Sequence, residues 1–141
     1  MLSQQRNISM WIISPRGGHF SIVVADDLRT RKPAPDRLMI RARSRSHLEL
    51  LKAQHPILAT VRIEKSKPGL DYPYRLVVDR SVLVQVFREM AEQIDWRNVK
   101  NEAHRNEADL GSDFVAAMHT VHATLARIKD APSGPDLPKT P

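Results

Sequence analysis

The amino-acid sequence predicts an α+β domain of two layers: an antiparallel sheet of four or five strands, helices packed on one of its faces, and an extra C-terminal helix. Three observations predict it. Apolar, β-branched runs occur in pairs joined by turns containing Pro and Gly, which sets neighbouring strands antiparallel. A helical stretch separates the first strands from the later ones, so the chain returns across one face of the sheet. From residue 81 to 129 the periodicity is helical, apart from a polar break at 106–111. With 141 residues, the chain is long enough for one domain with its own core.

Residues 1–9 read as a disordered, polar lead-in, and 10–129 as the single α+β domain. "MWIIS" (10–14) and "HFSIVVA" (19–25) are strands around Pro15-Arg16-Gly17-Gly18, a turn in which Gly supplies positive φ without steric cost. "DDLRTRKPAPD" (26–36) reads as a polar loop, and "LMIRAR" (38–43) as an alternating strand. Ser46 and Glu49 have capping-box spacing for a short helix that His55-Pro56 ends. "ATVRIEK" (59–65) and "YPYRLVV" (72–78) form a second strand pair, with Pro73 marking an edge or bulge. Asp79 or Ser81 caps the helix whose stripe is Val82, Leu83, Val86, Phe87, Met90, Ala91 and Ile94. Asp95 is expected to cap a short helix over 96–105, and Ser112 a longer one over 113–129. Residues 130–141 end in "APSGPDLPKTP", with four Pro and almost nothing to bury, and are expected to be disordered.

Charge is unevenly placed. The chain has a formal net charge of +6. Residues 1–75 hold 14 Lys and Arg against 6 Asp and Glu, a net of +8, whereas 76–141 hold 8 against 10, a net of −2. The N-terminal half is therefore the candidate anion-facing half. With no Cys the chain has neither a disulfide nor a thiolate metal site or nucleophile. No stretch approaches a membrane span and the N-terminus makes a poor signal peptide, so the expected location is cytoplasmic and no membrane is expected as a partner.

Strand parity locates the chemistry. Leu38, Ile40 and Ala42 point one way and Met39, Arg41 and Arg43 the other; the same alternation sets Arg62 and Arg75 opposite the apolar side chains of their strands. If helices cover the apolar face, Arg41, Arg43, Arg62 and Arg75 share the open one, with Arg16 and His19 at its rim. Arginine forks suit phosphates and carboxylates, so this set is the candidate anion-binding site. Parity places Tyr72 and Tyr74 on the apolar face, which leaves the Arg face without the aromatics that sheet-based readers of single strands use. The plain alternative is a solvated sheet face.

Other motifs carry less. His119 and His122 stand at i, i+3 but lack a third ligand, so no metal or other cofactor is expected. Phe114, Met118, Val121, Leu125 and Ile128 step by four and three, a seam for core packing or for a homodimer through 112–129. The Gly17-Gly18 turn leads into a strand and not a helix, which argues against a phosphate loop.

Together, "MWIISPRGGHFSIVV", "LMIRAR", "DYPYRLVV" and "IDWRNVK" resemble a family of small uncharacterised bacterial proteins over residues 10–100. The family pattern runs Trp-x-x-Ser, Gly-x-x-Ser-Ile-Val, Arg-Ala-Arg, Asp-Tyr-x-Tyr-Arg, Ile-Asp-Trp-x-Asn-x-Lys. His19 departs from the aromatic usual at its position. The resemblance implies no activity, but it draws attention to Asp71, Tyr72, Tyr74, Asp95 and Asn98 as a possible shared pocket. The function expected is a small, non-catalytic binding module that meets nucleic acid or an acidic protein through its Arg-bearing sheet face. The alternative is an adaptor acting through the C-terminal helix. A small hydrolase using Asp71, Tyr74, Arg75 and Asp95 or His19 is the least supported.

Overall fold

The computed structural model describes residues 9–130. Five strands form one sheet: β1 Met10–Ser14, β2 Gly18–Asp26, β3 Pro33–Ala42, β4 Glu64–Lys65 and β5 Tyr74–Asp79. Their order is β1-β2-β3-β5-β4, with each neighbouring pair antiparallel. The helices are α1 Arg45–Gln54, α2 Arg80–Glu92, α3 Val99–Arg105, α4 Glu107–Leu110 and α5 Ser112–Leu125, with a 3-10 turn at Pro56–Leu58. The expected α+β architecture is present. Apart from Ser9 and Asp130, the expected lead-in and tail lie outside the described residues.

Alternation decides which face is buried. Phe20, Ile22, Ile40, Ala42, Leu76 and Val78 project from the sheet into one core with Leu48 and Leu51 of α1 and Leu83 and Val86 of α2. Fully burying a side chain such as Leu or Phe favours folding by about 1.5–3 kcal/mol, so this layer holds α1 and α2 to the sheet. A second, smaller core of Ala103, Leu110, Val115 and Met118 joins α3, α4 and α5, with Leu50 and Phe114 packed against it. Leu50 sits between the inward Leu48 and Leu51, so α1 contributes to both cores.

Several boundaries differ from expectation for identifiable reasons. Residues 26–36 are not one loop, because β2 runs through Asp26 and β3 begins at Pro33. Asp27 makes the turn compact: its carboxylate accepts the N–H groups of Arg29 and Thr30. The ladder slips between Val24 and Ala25, which pair with Leu38 and Ala34, and this irregularity accommodates the missing N–H of Pro35. Residues 59–65 supply only the two-residue β4, since Val61 N donates to the Leu58 carbonyl and prolongs the preceding turn. The capping box at Ser46 and Glu49 does not form: α1 starts after Ser44, and Glu49 pairs with Arg45 at 2.9 Å. Asn98, not Asp95, caps α3, its side chain accepting Asn101 N–H at 3.0 Å. Gly111, not Ser112, occupies the cap position of α5, which ends at Leu125.

Candidate anion-binding face

The face away from α1 and α2 is open except at its Trp11, Ile13 and His19 corner, which looks across a groove to α5, and the register builds it row by row. Trp11 pairs with Ser21, Ser21 with Arg41, Arg41 with Arg75 and Arg75 with Glu64, so one row crosses all five strands. Beside it, Ile13 pairs with His19 on the same face. Arg43 follows one strand step beyond Arg41, just past the end of β3.

Tyr72 joins this face, contrary to the parity argument. Pro73 keeps β5 from starting before Tyr74, so strand alternation does not extend to Tyr72. Its ring lies beneath two guanidinium groups, 4.8 Å from that of Arg41 and 5.1 Å from that of Arg43. Each such contact contributes about 0.5–1 kcal/mol at an exposed position and, more to the point, aims the arginines. His19 stands between Tyr72 and Trp11, with ring centroids 6.1 Å from each. Trp11, His19 and Tyr72 thus form an aromatic line interleaved with arginines. Trp11 is 70% exposed, an unusual position for the largest apolar side chain of an edge strand. Tyr74 behaves as expected and packs against the core.

The electrostatics follow from the neighbours. Burial, then the charge of Arg43, then His47 hold His19 below the usual imidazole range, so it is neutral at pH 7 and the arginines carry the positive charge. Arg41 Nη2 donates to Ser21 Oγ at 2.8 Å. Arg75 Nε lies 3.8 Å from Glu64 Oε2. Arg41 and Arg75 both line a cleft of about 570 Å³, together with Tyr72, Asp71 and the buried Ser66.

The other expected site residues lie elsewhere. Arg62 is exposed in the segment before β4 and belongs to no strand. Arg16 points to the C-terminal helices: Nε donates to Glu102 Oε1 at 2.8 Å, Nη2 to Asp95 Oδ1 at 2.6 Å, and the guanidinium lies 4.7 Å from the Trp96 ring. Asp95 is thereby held on Arg16 and Asn98 at the start of α3, while Asp71 and Tyr72 stay beside Arg75. The pocket expected to unite these five residues is divided. Trp11, Ser21 and Ser66 complete the face, and only the strand register and the fold of residues 66–73 bring them there.

A second groove adjoins the first. About 1050 Å³ in volume, it is walled by Trp11, Ile13 and His19 on the sheet side and by Phe114, Met118, Val121 and Leu125 of α5. His119 Nε2 meets His104 Nε2 at 2.8 Å, but among the described residues no group of three His, Cys, Asp or Glu could hold a metal ion. Nor is any helix among them long and apolar enough to cross a membrane. Compared with known proteins, the chain matches no family model, no curated protein and no solved structure.

Proposed function

We propose that this protein binds single-stranded nucleic acid across the open face of its sheet, without catalysing a reaction on it. The observation that carries the reading is the aromatic line Trp11, His19 and Tyr72 set among Arg41, Arg43 and Arg75. Single strands are bound by stacking bases on exposed rings and neutralising phosphates with cations, and this face offers the exposed Trp11 ring beside half-buried His19 and Tyr72 and three arginines. An acidic protein surface would use the arginines but has no need of an exposed Trp11. On this reading the protein works in the cytoplasm, where single-stranded RNA is abundant.

Calorimetric titration with short oligothymidylates tests it. Three arginine–phosphate contacts give a slope of log K against log salt of about −2, or roughly a fifteenfold weakening from 50 to 200 mM. Trp11→Ala is expected to cost about 1–3 kcal/mol of binding while leaving the melting temperature nearly unchanged. A bound polyanion favours protonated His19, so affinity rises as pH falls through the lowered His19 pKa. Equal binding of polyglutamate, indifferent to Trp11→Ala, would refute the reading.

A second reading, self-association through α5, is favoured by one observation. Val121, Leu125 and Ile128 of the expected seam are exposed, at 36%, 56% and 72%.

A further inference from the structure

Arg41 and Arg75 are direct cross-strand partners, and like charges so placed repel. Each also encloses an Nε–H that has no hydrogen-bond partner among the described residues, which disfavours the fold and leaves the Nη groups as the donors for an incoming anion. Glu64 offers little relief, because its carboxylate is exposed and stands at 3.8 Å from Arg75 Nε, beyond hydrogen-bond reach. Ser21 Oγ and the Tyr72 ring engage Arg41, but neither requires a second guanidinium beside it. Side chains of similar length without charge would avoid both costs, so the pair is best accounted for by an anion that it receives.

We propose that Arg41 and Arg75 receive a terminal phosphomonoester, so that the face recognises the phosphorylated end of a bound strand. The inference rests on the nucleic-acid reading above. A phosphomonoester carries about −1.5 to −2 charges near pH 7, which matches two adjacent cations, whereas an internal phosphodiester carries one. Its three terminal oxygens also suit two forks, each able to donate in bidentate fashion. The same cleft is bounded by the carboxylates of Asp71 and Asp26. They oppose a polyanion that continues through the cleft and tolerate one that stops at the arginines.

The test is calorimetric titration of the full chain with four-nucleotide thymidine strands that carry a 5′-phosphate, a 3′-phosphate or hydroxyls at both ends. At least one phosphorylated strand is expected to bind about tenfold tighter than the hydroxyl-ended strand, and millimolar inorganic phosphate is expected to abolish that advantage. Arg75→Gln weakens all three strands and removes the difference between them. Arg41→Lys, which keeps the charge but loses the fork, reduces the difference and guards against a folding artefact in the first variant. Three equal affinities overturn this inference and leave the nucleic-acid reading standing. Binding of none of the strands overturns both.

Discussion

Gly18 illustrates what a single residue controls. It adopts φ +103°, and a Cβ placed there would stand 2.4 Å from Cγ of His47. The His47 ring cannot retreat freely, because Nδ1 accepts the His19 backbone N–H at 3.3 Å and Nε2 lies 3.1 Å from the Leu110 carbonyl. With Nδ1 accepting, Nε2 carries the proton and donates. Gly18→Ala is therefore expected to destabilise by about 2–4 kcal/mol, joining an overpacking term of about 1–3 to a positive-φ term of about 1. Gly17→Ala is the control, since its Cβ would meet Ser14 Oγ at 3.4 Å, close to ordinary contact. Thermal melts of the two variants check this, and equal stability would refute the argument. The glycine pair was legible in the sequence as a turn; the contact of Gly18 with the ring of His47, far along the chain, was not. Tyr72 teaches the complementary lesson. Period-2 reasoning holds inside a strand, and Pro73 stands just outside one, so the inference for Tyr74 succeeded where that for Tyr72 failed.

At the scale of elements, the β1–β2 turn serves as an anchor for α3. Besides its two carboxylate partners, Arg16 offers its carbonyl to Gln54 at 2.8 Å, and Asn106 donates to the Pro15 carbonyl at 3.2 Å. The hydrogen bond from Arg16, helped by Asn106, holds the Glu102 carboxyl below the usual carboxylate range. A depressed carboxylate pKa stabilises above the unfolded value, and that contribution is lost as pH falls through the folded one. The amide protection factors of α3–α5 are thus expected to fall in acid relative to those of the sheet. In Glu102→Gln the protection factors of these helices should be low already at neutral pH and change little on acidification; an unaltered protection profile in this variant would sink the idea. The helices themselves were readable from their apolar periodicity. The anchor was not, because its two sides are separated by 86 residues and neither side has a motif.

For the whole molecule, the basic N-terminal half and weakly acidic C-terminal half resolve into a sheet face and a helical unit beside it. The class of fold and the side on which Arg41, Arg43 and Arg75 emerge followed from strand patterns alone. The placement of Arg62 did not, because the turn ending at Val61 takes residues 59–63 out of the sheet. Self-association is a property of this scale, and light scattering decides it. If α5 pairs with a second copy, the mass is about twice 16.0 kDa at micromolar concentration, and Val121→Glu returns it to one chain. A monomer in both proteins would remove that reading and leave the groove to a bound strand.

The row from Trp11 to Arg75 has a consequence for reach. Three inter-strand steps separate its ends, roughly 14 Å at about 4.8 Å each. That is the length of about four stacked nucleotides at 3.4 Å per step. A footprint so short saturates with a tetranucleotide, so longer strands bring more sites and no greater affinity at each.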